Sequence, residues 1–165
     1  MADEDLYISI NRFMQSHGRL SLFIAKAQKL ISLLVLLSYP VFLIWCGLYH
    51  RDRLLKVVAI PLCCFFFVSL FRQLLGVPRP YERFDIVPLI EKDTQKKSFP
   101  SRHVFSIFML AETYLYATTD AFAIPFYFAG LFLAASRVLL GVHYILDVFA
   151  GMMVALFCGV LYYIL

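Results

Sequence analysis

"LISLLVLLSYPVFLIWCGLY", Leu30 to Tyr49, runs for 20 residues without a charged side chain. A helix needs about 20 predominantly apolar residues to cross a bilayer, so this stretch commits the chain to a membrane. The composition agrees. Hydrophobic residues make up 62% of the 165 and charged residues 16%, and the mean hydropathy is +0.79. A soluble domain is about half apolar and a quarter charged.

Outward from that run, further apolar stretches cover Val57 to Phe71, Val104 to Thr119 (interrupted only by Glu112), Ala121 to Ser136 and Val148 to Leu165. None reaches full span length without its flanking polar residues, so those residues fall at membrane ends. The expected fold is all-α: an integral membrane bundle of five spanning helices near 29–50, 53–76, 102–119, 121–140 and 143–165. It forms a single membrane-embedded domain over 1–165. Before it, residues 5–25 mix Leu6, Ile10, Phe13 and Met14 with Asn11, Arg12 and Gln15. That pattern fits an amphipathic helix lying in the interface, and equally a cap helix packed on the bundle. The opening MADEDLYISI has acids where a signal peptide carries bases, so no cleavable signal is expected. Cys46, Cys63, Cys64 and Cys158 sit in apolar runs without metal-site spacing and read as small buried hydrophobes. A basic interface facing anionic headgroups accounts for the net charge of +4, and no nucleic-acid partner is expected.

One connection is long and polar: "VPRPYERFDIVPLIEKDTQKKSFP", residues 77–100. A loop of this length in so small a domain is usually functional or disordered. Five spans put it on the same side as the turn near Gly141, and the topology gathers four polar clusters there. His143 and Asp147 are four apart and share a helix face. The carboxylate can fix the ring tautomer and leave the other nitrogen free as base or nucleophile. In "SFPSRH", Pro100 stops the loop and Ser101 is a natural helix N-cap. The Arg102 and His103 amides then point out of a helix start, an arrangement that binds phosphate, and His103 is placed to exchange a proton. Arg72 and Arg79 lie seven apart, with Gly76 and Pro78 between them to let Arg79 curl back. Arg137 ends the fourth span. The guanidinium fork matches phosphate oxygens, so the cluster reads as an anion site with a nucleophile and an acid. Glu112, mid-span, reads as a protonated or hydrogen-bonded structural residue.

These residues resemble the membrane branch of the type 2 phosphatidic acid phosphatase superfamily, related in site to vanadium haloperoxidases. Its motifs K-x6-R-P, P-S-G-H and S-R-x5-H-x3-D are matched by Arg72-x6-Arg79-Pro80, Pro100-Ser101-Arg102-His103 and Ser136-Arg137-x5-His143-x3-Asp147. The motif-bearing part covers about residues 60–150. Arg72 departs from the usual lysine and Arg102 from the usual glycine. The resemblance implies a lipid phosphatase in which His143 attacks phosphorus, Asp147 orients it and His103 protonates the leaving oxygen. Arg72, Arg79, Ser101, Arg102 and Arg137 would hold the phosphate. It implies no cofactor and no metal, the arginines supplying the charge.

The substrate expected is a lipid phosphate or diphosphate, of the undecaprenyl diphosphate, phosphatidylglycerol phosphate or phosphatidic acid class. A phosphotransferase using the same intermediate and a non-catalytic lipid-phosphate binding or transport protein are the rival readings. A metal-dependent hydrolase ranks behind them. Apart from the motif arginines, the site side carries Arg12, Arg19, Lys26, Lys29, Arg83, Lys92, Lys96 and Lys97, and the other side Arg51, Arg53 and Lys56. The positive-inside rule taken alone would face the site to the cytoplasm. Basic residues that attract a phosphorylated headgroup bias that count, and bacterial relatives often carry the site outside. The reading leans to the outer face of the cell membrane.

Overall fold

A computed structural model describes residues 2–90 and 95–165. Lys92, counted above with the site-side cations, lies outside them. Among the described residues all regular structure is helical: α1 Ala2–Ser16, α2 Gly18–Tyr49, α3 Arg51–Leu75, α4 Pro80–Arg83, α5 Arg102–Ala117, α6 Asp120–Leu139, α7 Ile145–Gly159 and α8 Leu161–Ile164. Four helical stretches are long and apolar enough to cross a membrane: Gly18–Tyr49, Arg51–Arg83, Asp120–Leu139 and Ile145–Ile164. Their outward faces carry large apolar side chains such as Leu36, Leu62, Phe128 and Phe157, each more than 60% exposed. This is the surface of an integral membrane protein.

The fifth expected span is α5, only 16 residues long. It is the central helix, packed against α3, α6 and α7. Val104, Phe105, Ala111 and Tyr114 are fully buried on it. Surrounded by protein, it can carry polar groups that lipid would penalise. Thr113 meets the Tyr162 hydroxyl at 2.7 Å, and Tyr114 meets Ser38 at 2.7 Å. Glu112 accepts a 2.6 Å hydrogen bond from Tyr127 on α6, so this mid-bundle acid is paired.

The N-terminal segment differs from the single helix expected over residues 5–25. The chain breaks at His17, whose carbonyl accepts from the Leu20 and Ser21 amides, and residues 18–28 join α2. The break lets Ser21 and Gln28 bury, with Gln28 accepting from Ser136 on α6 at 3.4 Å. Helix α1 packs one face, Tyr7, Asn11 and Met14, into the protein and leaves Leu6 and Phe13 exposed. It combines the cap and the amphipathic readings. Cys63 corrects the expectation of four buried thiols: it faces outward, while Cys46 and Cys64 are buried and Cys158 is partly so.

Candidate active site

Helix α3 stops where the sequence says it should. Gly76 takes the left-handed conformation, φ +58°, which an L side chain rarely adopts. The chain then turns back, and Arg79 is only 3% exposed. Its Nη1 donates to the Val142 carbonyl at 3.0 Å. The turn after α6 is as tight as the Gly141 position suggested, with φ +75° there. The Arg137 carbonyl accepts from the amides of Val142 and His143 at 3.1 and 3.3 Å. One arginine thus supports the histidine loop through its main chain, and a second grips the same loop from the side.

His143 lies in this turn, two residues before α7, rather than inside the last helix as expected. Its pairing with Asp147 survives, Nδ1 to Oδ2 being 3.3 Å. Asp147 has a further task that its spacing did not reveal. It sits in the first turn of α7, and its carboxylate accepts the Tyr144 amide at 2.9 Å, satisfying one orphan donor of the helix start. Its main-chain carbonyl accepts the Ser101 amide at 2.8 Å. That contact needs α5 and α7 to touch at backbone level. Gly151 permits it, since a Cβ there would stand 2.6 Å from the Ser101 carbonyl oxygen.

Ser101 does occupy the N-cap position of α5, but its hydroxyl makes no cap hydrogen bond. This corrects the reason given for that serine. Its Oγ and the Nε of Arg137 are buried without a partner among the described residues. Buried polar groups are normally paired, and the hydroxyls of Ser32 and Ser69 are unpartnered in the same way. The Arg79 and Arg137 charges also repel each other, and an anion between them would relieve that repulsion.

Arg72 is buried as well, yet its fork is turned on the protein. It donates from Nη1 to the Pro100 carbonyl at 2.7 Å and from Nη2 to the carbonyl of Lys97. It pins the loop that leads into α5. The Arg102 side chain is exposed and its guanidinium lies over the Phe65 ring, 5.4 Å from the centroid. His103, half-buried on the first turn of α5, opens into a hollow of about 340 Å³ walled by Leu33, Leu36, Phe65 and Leu110.

Burial lowers the affinity of His143 for a proton, and the positive charges of Arg79 and Arg137 lower it further, against the opposing pull of Asp147. The ring is held neutral below its ordinary value near 6.5. One contact was missed entirely by sequence reasoning. Ser98, fully buried, donates to Asp147 Oδ2 at 2.5 Å. It stands just before the recognised P-S-R-H string, and no spacing rule singles it out.

The model of the PAP2 superfamily matches residues 53–165. The chain belongs to this superfamily. The PAP2 match leaves out α1 and α2, but the likeness to solved structures extends over them. The chain superposes on LpxE of Aquifex aeolicus with a TM-score of 0.77 at 21% identity, covering 100% of this chain and 96% of that one. It superposes equally, TM-score 0.77 at 20% identity, on a transmembrane PAP2 type phosphatidylglycerolphosphate phosphatase from Bacillus subtilis, covering 98% of this chain and 83% of that one. At these identities the likeness is one of fold. No curated protein sequence matches the chain.

Proposed function

We propose that this PAP2 protein is a membrane lipid phosphatase that works through a phosphohistidine. The observation that carries the reading is the setting of His143. A buried imidazole is backed by a carboxylate at 3.3 Å and sits in a turn held by two buried arginines, Arg79 and Arg137, the second with its Nε unpartnered. A neutral imidazole is a competent nucleophile. Phosphoryl transfer asks little else of a protein than positioning and charge stabilisation.

On this reading the Nε2 of His143 attacks phosphorus while Asp147 accepts from Nδ1–H and stabilises the imidazolium that forms. His103 gives a proton to the leaving oxygen, which departs with the lipid alcohol of a monoester or with the lipid monophosphate of a diphosphate. His103 then takes a proton from water as that water attacks the phosphohistidine, releasing inorganic phosphate and regenerating His143. Arg79 and Arg137 stabilise the equatorial oxygens, assisted by Ser101 and the amides at the start of α5. Arg72 contributes by holding the loop, and Arg102 by its charge at the rim. The apolar walls of the hollow beside His103 support a leaving group that carries a lipid chain, since it must exit on the side of its proton donor. Undecaprenyl diphosphate, phosphatidylglycerol phosphate and phosphatidic acid all meet that requirement.

The test is phosphate release by the purified protein in detergent with EDTA, over a panel of lipid phosphates and diphosphates. Release by the wild type and its loss in His143→Ala are expected. Equal release by the variant would overturn the reading, and transfer of labelled phosphate to a second lipid instead of water would make the protein a phosphotransferase.

A further inference from the structure

Ser98 belongs to none of the motif positions, yet it is fully buried and its segment is tied at several points. Its own amide donates to the Val77 carbonyl at 2.9 Å. Arg72 grips the carbonyls on either side of it, those of Lys97 and Pro100. One residue further back, the Lys96 amide donates to both carboxylate oxygens of Glu82 at 3.1 Å. Glu82 also accepts the Arg79 amide at 2.7 Å. The segment 96–100 is therefore clamped from α3 and from α4, and the Ser98 hydroxyl has a fixed direction.

That direction is toward the pair behind the nucleophile. A carboxylate only accepts hydrogen bonds, so in the 2.5 Å contact Ser98 Oγ donates to Asp147 Oδ2. The lone pairs of the same oxygen face His143 Nδ1 at 3.5 Å. Asp147 Oδ2 then has three claims on it: Ser98 at 2.5 Å, the Tyr144 amide at 2.9 Å and His143 at 3.3 Å. The imidazole is the most distant of the three. A proton on Nδ1 would be shared between two oxygens, a three-centre arrangement that leaves Nε2 unprotonated.

We propose that Ser98 is a positioning residue of this site: its hydroxyl holds the Asp147 carboxylate, shares the Nδ1 proton of His143 and so tempers the pull of the carboxylate on the ring. The inference rests on the phosphatase reading above. Without Ser98 the carboxylate charge falls on the imidazole alone, which favours imidazolium over the neutral nucleophile. Ser98→Ala then lowers kcat about tenfold, the size of one hydrogen bond to a charged group. KM stays within about twofold, since the hydroxyl does not touch substrate. The acid limb of the kcat/KM profile moves upward by about half a pH unit or more.

The experiment measures phosphate release against pH for wild type, Ser98→Ala, Ser98→Thr and His143→Ala, each checked for thermal stability in detergent. Ser98→Thr retains the hydroxyl and is expected to restore both kcat and the position of the limb. An active wild type, a dead His143→Ala and a Ser98→Ala with unmoved acid limb and kcat would overturn the role of Ser98 alone. So would a Ser98→Ala that loses rate only in proportion to lost folded protein. If Ser98→Ala does not fold, Ser98→Cys, with its weaker donor, must fall between wild type and the predicted alanine behaviour, and a Cys variant identical to wild type overturns the proposal. A wild type without turnover, or an active His143→Ala, instead sinks the phosphatase reading itself.

Discussion

The two ends of the bundle both carry cations, and they use them differently. At the candidate site Arg72, Arg79 and Arg137 are 3–7% exposed and surrounded by backbone carbonyls, a histidine and a carboxylate. At the far end the Arg53 side chain is 37% exposed beside Asp52 at 78%. Its Nη1 donates to the Tyr116 and Ala117 carbonyls at the C-terminus of α5, and its guanidinium lies 5.6 Å from the Tyr116 ring centroid. Lys56 covers the same ring. This is capping and anchoring at an interface, with charge placed where the helix dipole is negative. The lesson is that burial, rather than charge, separates the two. Guanidinium groups are taken out of water only where something pays back the desolvation.

Substitutions should divide along that line. His143→Ala is expected to lower phosphate release per folded protein by at least about a thousandfold. Near-normal turnover would erase the functional distinction between the ends. Arg137→Ala should cost about a hundredfold in kcat/KM, the usual loss for one preorganised donor, and Arg137→Lys should recover part of it. The rate profile should hold its plateau to below pH 6.5, because the folded state keeps His143 neutral there. Stability follows the same sign. The unfolded chain takes up the His143 proton first, so the contribution of the neutral ring is complete above pH 6.5 and is lost as pH falls toward the lowered folded value. Thermal scans between pH 7 and pH 4 read this directly. The smallest effect belongs to the far end: Arg53→Ala should leave kcat unchanged and lower stability by about 0.5–1 kcal/mol.

The spans were legible because charge-free runs of this length have one physical use. The layout of the candidate site was legible where it depends on local spacing: Gly76 before Arg79, Gly141 before His143, four residues from His143 to Asp147. What could not be read were contacts whose partner is a backbone atom of a distant segment. The Arg72 fork meets two loop carbonyls, and a sequence does not announce acceptors of that kind. Ser98 escaped because its partner, though a side chain, is the Asp147 carboxylate 49 residues away, and no spacing rule links the two. The start of α2 was misread because Ser21 and Gln28 look solvated by type, and only the presence of α6 makes their burial acceptable.

Helix α3 carries one member of each cationic group, Arg53 near its start and Arg72 near its end, 19 residues apart. At 1.5 Å per residue the separation is about 28 Å, close to the ~30 Å thickness of bilayer hydrocarbon. The helix is thus a ruler. With its first arginine moored at one surface, it sets the depth at which phosphorus would meet imidazole, and a membrane too thick for the ruler would draw that meeting point below the level where headgroups reside.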